Sequence, residues 1–145
     1  MRIHVGPARG FSLIELVIVF AIVGVVAAIA VPRYAGAVGR HRADAAAQRI
    51  VADLGLARDE ARYYSQARTV KFEVLPNRLW IPDGGDLNHQ SNDYSVELDE
   101  TPYQAKLVSA DFGGAPDVNF DGYGKPSSGG TVVVEAGGTQ RTVVL

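Results

Sequence analysis

One unbroken apolar segment near the N-terminus constrains this chain more than any other feature of its sequence. Residues 11–31 read FSLIELVIVFAIVGVVAAIAV and contain no Lys, Arg, Asn or Gln. At 1.5 Å per residue, a helix of this length spans about 31 Å, which matches the hydrocarbon thickness of a bilayer. Glu15 is the one charged side chain in the segment. We therefore predict a transmembrane helix over 11–31 that carries a single carboxylate.

A cleaved secretory signal peptide is the simplest alternative for this segment. It would account for Arg2 and Arg9 before the segment and for a small-residue cleavage site, Ala-Ile-Ala, at 28–30. The segment is longer than the roughly 7–15 apolar residues of such peptides. Burying a carboxylate in mid-membrane also costs about 2.5–3.5 kcal/mol on insertion scales. Glu15 therefore indicates a partner or a specific role, which a signal peptide or a plain anchor would not give it.

Composition excludes several classes of protein. A length of 145 residues favours one small domain. The 14 Lys and Arg against 16 Asp and Glu give a formal net charge of -2, which argues against a protein that coats nucleic acid. There is no Cys, so disulfides, thiolate zinc sites and Cys nucleophiles are excluded.

The residues that open the apolar segment resemble the processing motif of type IV pilins and type II secretion pseudopilins. Gly10-Phe11-Ser12-Leu13-Ile14-Glu15 follows a short leader with two Arg residues. In that family, a prepilin peptidase cuts after the Gly, the new N-terminal residue is methylated, and the Glu is the one polar group of the helix. The resemblance implies a leader at 1–10, cleavage between Gly10 and Phe11, N-methylation of Phe11, and a role for Glu15 in assembly.

The same resemblance implies how the helix is used and where the protein resides. Gly24 and Pro32 stand where many members have a helix-weakening Gly and Pro, and Gly24, Ala27 and Ala28 would let neighbouring helices approach closely. The implied partners are other pseudopilin or pilin subunits, the prepilin peptidase/methyltransferase and an inner-membrane assembly platform. The implied location is the bacterial inner membrane, single-pass with a periplasmic globular domain, and then the pseudopilus. Basic residues flank both ends of 11–31, so charge alone does not set the orientation.

The helical pattern continues beyond the apolar segment, over 32–68. Apolar residues recur there at three- and four-residue spacing, at Ala43, Ala46, Ala47, Ile50, Val51, Leu54, Ala57 and Ala61. Arg49 and Asp53 are spaced for an ion pair on one helix face. This pattern predicts one helix of about fifty residues whose amphipathic second half packs on a domain.

Residues 69–145 change to a period of two, which is typical of strands. Val70, Phe72 and Val74 alternate with charged residues, and the turn Pro76-Asn77 leads to a second short apolar run at 79–81. Further strands are predicted at 94–98, 105–109, 117–120, 131–135 and 141–145, with loops at 82–93 and 112–116, and Gly137-Gly138 predicts a hairpin between the last two strands. The predicted fold class is α+β, with a long N-terminal helix, its first half transmembrane, packed on an antiparallel β-sheet domain.

The C-terminal part resembles a narrower group. The stretch 120–126, FDGYGKP, followed by a hairpin, is similar to the H-type minor pseudopilins of type II secretion and to related minor pilins. The implied function is that of a structural subunit of the type II secretion pseudopilus. A minor type IV pilin, including one of a DNA-uptake pilus, and a membrane-anchored enzyme are the alternatives. The sequence does not decide which machine the chain serves.

Motifs for catalysis are absent from the sequence. There is no Gly-x-Ser-x-Gly motif, no phosphate-binding loop and no His pair at metal spacing, so we expect neither enzyme activity nor a cofactor. Asp117, Asn119 and Asp121 match the first half of a calcium-binding loop. Lys125 and Ser128 then occupy positions nine and twelve, where further oxygen ligands belong, so we predict no metal site.

Charge is distributed unevenly along the chain. Residues 83–121 contain nine acids against Lys106 alone, whereas 40–78 contain eight basic residues against five acids. Solvation of surface loops explains this pattern, and so does complementary packing of an acidic domain against a basic helix of a neighbouring subunit. The acid excess argues against nucleic-acid binding.

Overall fold

The computed structural model describes residues 10–85 and 93–145, with only the backbone described at Pro32 and at 83–85. Within these ranges the chain forms one α-helix followed by seven strands. Their bounds are α1 Leu13–Tyr64, β1 Arg68–Glu73, β2 Arg78–Gly85, β3 Asp93–Glu97, β4 Lys106–Asp111, β5 Asp117–Phe120, β6 Thr131–Ala136 and β7 Thr139–Val144. The predicted α+β class and the single long helix are confirmed.

The chain divides into two compact units, the first ending at Ala35 and the second, called here the head domain, comprising Gly36–Leu145. In the first unit the large apolar side chains from Phe11 to Val31 are exposed. The helix contains an 18-residue window that is long and apolar enough to cross a bilayer, and no part of that window is buried within the structure. An apolar surface of this length without cover requires lipid or other helices around it.

The helix ends four residues earlier than the pattern predicts. Its predicted end was Arg68, which instead begins β1, while α1 ends at Tyr64. Ser65 adopts a left-handed conformation with φ of 51°. The Gln66 amide then donates to the Ala61 carbonyl at 3.1 Å and the Ser65 amide to the Arg62 carbonyl at 3.3 Å. These two bonds form a Schellman cap, which stops a helix whose composition would otherwise continue it.

The strands form two antiparallel sheets. One has the order β3-β2-β1-β5 and the other has the order β4-β6-β7. The predicted strand 117–120 has the observed bounds of β5, the start of β6 at Thr131 also matches, and the other strand ends shift by one or two residues except at β2. β2 continues to Gly85 into the predicted loop 82–93, because it keeps pairing with β3 across a register shift between Ile81 and Gly85. Residues 86–92 of that loop lie outside the described residues, and Asp93 begins β3.

The core of the head domain lies between α1 and the inner faces of the sheets. Most of the predicted stripe is buried, at Ala43, Ala46, Ile50, Leu54, Ala57 and Ala61, with Ala47 partly buried. Val51 contradicts the prediction, because 55% of its surface is exposed. It follows Ile50 by one residue, about 100° around the helix, and therefore lies at the edge of the stripe.

A close backbone contact joins α1 to the β6–β7 hairpin. Gly137 and Gly138 form the predicted two-residue turn, with φ of 55° and 76°, as a type I′ turn requires. A Cβ added at Gly39 would lie 3.0 Å from the Cα atom of Gly137 and 3.1 Å from the carbonyl oxygens of Ala136 and Gly137. Only a glycine at position 39 allows this separation without displacement of the turn.

Candidate functional site

The predicted processing residues lie at the start of α1. Gly10 and Phe11 precede the helix, and Phe11 is 82% exposed. The Ser12 carbonyl accepts the Leu16 amide at 3.1 Å, which makes Ser12 the first capping residue. Glu15 follows in the first turn, where a carboxylate faces the free amide groups of the helix N-terminus. Glu15 is therefore the anionic group at the beginning of an exposed apolar helix.

The small residues predicted to allow helix packing are accessible. A Cβ added at Gly24 would find no atom within 4 Å, and Ala27 and Ala28 are exposed on the same stretch of α1. The backbone of α1 continues through Pro32 as helix. The side chain of Pro32 lies outside the description, so its role in a kink stays a prediction.

A buried polar network connects α1 to β3 in the head domain. Asp53 is only 3% exposed, and its carboxylate accepts hydrogen bonds from the Tyr94 hydroxyl at 2.7 Å and from Arg49 Nε at 3.1 Å. Arg49 also contacts the Tyr94 hydroxyl. Burial raises the pKa of Asp53, against the opposing effect of its hydrogen bonds, and burial raises the pKa of Tyr94 to about 12. The spacing of Arg49 and Asp53 predicted their pair, but no local signal points to Tyr94, which lies 41 residues beyond Asp53.

A groove runs between α1 and β7 on the surface of the head domain, and we call it the α1–β7 groove. It comprises two adjoining cavities of about 230 and 380 Å³ that share three valines. Its apolar lining includes Val51, Leu54, Phe120, Val143, Val144 and Leu145. The exposure of Val51, which the sequence did not predict, is explained by its position in this groove.

Basic side chains gather at the end of the α1–β7 groove near Phe120. Arg58 and Lys125 line a third cavity there, of about 470 Å³, which shares Phe120 and Leu145 with the groove. Gly124, with φ of 76°, packs against the aliphatic parts of the Arg58 and Arg62 side chains. A Cβ added at Gly124 would lie 2.7 Å from Arg62 and 3.1 Å from Arg58.

Arg58, Arg62 and Lys125 form no ion pair within the described part of the chain. The sequence argument from acid excess missed this cation cluster, because the fold brings a C-terminal lysine to helix arginines more than sixty positions earlier in the chain.

The residues of the half calcium loop make other contacts. The Asp121 carboxylate accepts the amides of Tyr123 and Lys125, both at 2.9 Å, and closes a tight turn. The Asn119 amide group donates to the Thr69 hydroxyl at 2.8 Å. In residues 10–85 and 93–145, no group of three His, Asp or Glu side chains is arranged to hold a metal.

Two family models match this chain, one at its N-terminal segment and one over the head domain. The family model of the type II transport protein GspH matches residues 46–145, and the prokaryotic N-terminal methylation motif matches residues 7–31. Searches of curated proteins and of solved structures gave no match. The GspH model covers all seven strands and the part of α1 from residue 46 onwards, and the second model covers the apolar segment with its Gly-Phe junction. The chain therefore belongs to the GspH family and is a minor pseudopilin with a prepilin-type N-terminus, in a family of structural pseudopilins.

Proposed function

We propose that this protein is a structural subunit of the type II secretion pseudopilus, cleaved between Gly10 and Phe11 and N-methylated on Phe11. The observation that carries the proposal is the position of Glu15, a lone carboxylate in the first turn of an exposed apolar helix directly after a Gly-Phe junction. In this proposal residues 1–10 are the leader, 11–31 the membrane and filament-core segment, and the amphipathic half of α1 belongs to the head domain with the strands.

Glu15 acts through the amine that cleavage creates. Before cleavage Phe11 has no free amino group, and afterwards it has a cation at the membrane edge. Glu15 lies about 6 Å further along the helix axis, so within one chain the pair is loose. In a low-dielectric environment an unpaired charge is costly and opposite charges attract strongly. Glu15 therefore pairs with the Phe11 amine of an adjacent subunit and sets the axial register at which a new subunit enters.

The apolar segment supplies the surface for assembly. In the inner membrane it is surrounded by lipid, and in the pseudopilus by the corresponding helices of neighbouring subunits. Gly24, Ala27 and Ala28 add little bulk to the helix surface, so backbones can approach closely there. The partners are other pseudopilins, the prepilin peptidase/methyltransferase and the inner-membrane assembly platform. The head domain lies in the periplasm before assembly.

The chemistry of the chain is that of a substrate and a building block. It is modified by the peptidase and the methyltransferase, and it needs neither catalytic residues nor a cofactor of its own. A minor pilin of a DNA-uptake pilus would use the same N-terminal machinery. The GspH match over 46–145 supports a role in the type II secretion pseudopilus over a role in a DNA-uptake pilus.

Intact mass spectrometry of protein extracted from membranes tests the processing. The expected mass lacks residues 1–10 and includes one additional methyl group, with Phe11 identified as the modified residue by fragmentation. Gly10→Val is the matched control, because it blocks the scissile position and should leave the full-length precursor in the membrane. An N-terminus at Val31 would instead establish a signal peptide and refute the proposal.

A further inference from the structure

We propose that the α1–β7 groove binds an extended segment of another pseudopilin subunit, which pairs with β7 as an antiparallel strand and places an acidic residue beside Arg58 and Lys125. The inference rests on the proposed function, because assembly brings that subunit to the head domain. Three independent features of the groove define this occupant: an open strand edge, an apolar wall and an unpaired cationic end.

The open strand edge belongs to β7, the outer strand in the order β4-β6-β7. The two-residue turn makes Ala136 and Thr139 a hydrogen-bonded pair, and alternation from there directs the polar backbone groups of Gln140, Thr142 and Val144 away from β6. The Leu145 amide, which donates to the Gly130 carbonyl at 3.0 Å, fits this alternation. β7 therefore offers a row of backbone donors and acceptors to a further strand.

The opposite edge of the same sheet is protected, and β7 is not. β4 begins with Lys106, ends with Asp111 and carries a register shift between Leu107 and Ser109. Charges and bulges of this kind are the usual protection of edge strands against pairing with other chains. β7 has no proline and no register shift, and its one charged residue, Arg141, is directed to α1, where it pairs with Asp44 at 2.5 Å. This contrast within one sheet indicates that the β7 edge is left open for a partner strand.

The apolar wall lies directly beside the open edge. Val51 is 55% exposed and Val144 is 74% exposed, and both line the groove together with Val143. A strand paired with β7 would direct alternate side chains into the two cavities and cover these valines. Main-chain hydrogen bonds combined with pockets for alternate side chains are the features by which sheet edges recognise peptides. The occupant is therefore an extended polypeptide with apolar residues on one face.

The cationic end fixes the charge and the direction of the occupant. β7 runs towards Val144 and Leu145, and Leu145 lines the same cavity as Arg58 and Lys125. An antiparallel strand begins at this end, so its N-terminal residue approaches the two cations. Neither cation has an ion-pair partner within the described part of the chain, and a carboxylate supplies one with charge-assisted hydrogen bonds. Nucleic acid fits less well, because its phosphates would meet cations only at one end of an otherwise apolar groove.

Site-specific photo-crosslinking in cells that produce the other subunits tests the inference on the full chain. Benzoylphenylalanine is placed at Val51, at Val144 or, as matched control, at Val108, an exposed valine on β4. We expect positions 51 and 144 to give the same product with another pseudopilin, at least fivefold above position 108. Mass spectrometry should map the linked residue to an extended segment containing Asp or Glu. Equal yields at all three positions would refute the groove as a specific site.

Charge substitution tests the cationic end. Arg58→Glu combined with Lys125→Glu should lower the crosslink yield from Val144 at least fivefold, and the corresponding Gln variants should lower it less. Lys106→Glu, which changes an exposed lysine on β4, should leave the yield unchanged. A yield that is insensitive to all these changes would overturn the acidic occupant. Adducts with nucleic acid would overturn the choice of a polypeptide.

The two proposals fail in different ways. If the proposed function is wrong, the protein does not copurify with pseudopilins and no position gives a crosslink to one. If only the groove inference is wrong, copurification persists while positions 51 and 144 give no more product than position 108.

Discussion

A methyl group added at Gly39 tests how tightly α1 packs on the β6–β7 turn. Gly39→Ala and Gly55→Ala are matched changes, because both replace a glycine in the interior of the same helix. At Gly55 an added Cβ has no atom within 4 Å, so the substitution changes only the helix propensity. That change should stabilise the head domain by about 0.8–1 kcal/mol.

At Gly39 the same gain is opposed by a backbone clash. The added Cβ would lie 3.0–3.1 Å from three backbone atoms of the turn, and Gly137 has little freedom to retreat because its own φ is held at 55°. Overpacking of this kind costs about 1–3 kcal/mol. The propensity gain is common to both variants, so their difference in free energy of unfolding should equal the cost of the clash. We expect Gly39→Ala to be less stable than Gly55→Ala by about 1–3 kcal/mol.

Urea unfolding of residues 36–145 provides the measurement, followed by circular dichroism and by the fluorescence of Trp80, the only tryptophan in the chain. A lower midpoint with an unchanged slope identifies a loss of stability rather than a change of the unfolded state. By heat, the difference should be about 4–12 °C between the two variants. If Gly39→Ala is as stable as Gly55→Ala, the close approach of the helix to the turn is not a constraint and this reasoning is wrong.

Three further predictions concern assembly, the buried network and the head domain. Glu15→Ala should be processed to Phe11 and stay in the membrane but lose copurification with pseudopilins, with Glu15→Asp intermediate; assembly of Glu15→Ala at the wild-type level would contradict the ion-pair role. Tyr94 has a folded pKa of about 12 against about 10 when unfolded, so its contribution is present below pH 10 and is lost between pH 10 and 12. After allowance for screening this contribution is about 1–2 kcal/mol, and Tyr94→Phe should abolish that alkaline dependence in unfolding titrations. A chain that begins at Gly36 should be soluble and rich in β-structure by circular dichroism, because the whole compact unit starts there, and a random-coil spectrum would contradict this architecture.

The elements of the fold were predictable where a pattern is local. The helix stripe at 43–61 and the alternation at 70–74 indicate which faces are buried, and the structure buries most of these positions, but it leaves Val51 and Val74 exposed. The end of α1 was not predictable in the same way. Ser65 adopts a left-handed conformation there, and helices that end in this conformation usually have glycine or asparagine at that position rather than serine. Close packing also constrains the chain at the end of α1, since a Cβ added at Gly122 would lie 2.9 Å from the Ser65 carbonyl group.

The candidate sites also differ in whether a local sequence pattern reveals them. The N-terminal motif is contiguous in sequence, so roles for Gly10, Phe11 and Glu15 could be proposed without a structure. The α1–β7 groove and the cation cluster could not, because Arg58 and Lys125 meet only after the chain has formed both sheets. Charge counted along the sequence was therefore a poor guide to charge at a surface.

The buried carboxyl group of Asp53 gives the connection between α1 and β3 a pH dependence of its own. Because its folded pKa is raised, its contribution to stability is complete below the unfolded pKa of about 3.9 and is lost as the pH rises through the folded value. Paired carboxylates at protein surfaces usually have the opposite dependence, since protonation removes their partner's counter-charge. On acidification the connection between α1 and β3 therefore takes up a proton and persists as hydrogen bonds between Asp53 and Tyr94. We therefore expect the attachment of α1 to the four-stranded sheet at Asp53 to weaken less on acidification than attachment through a surface ion pair would.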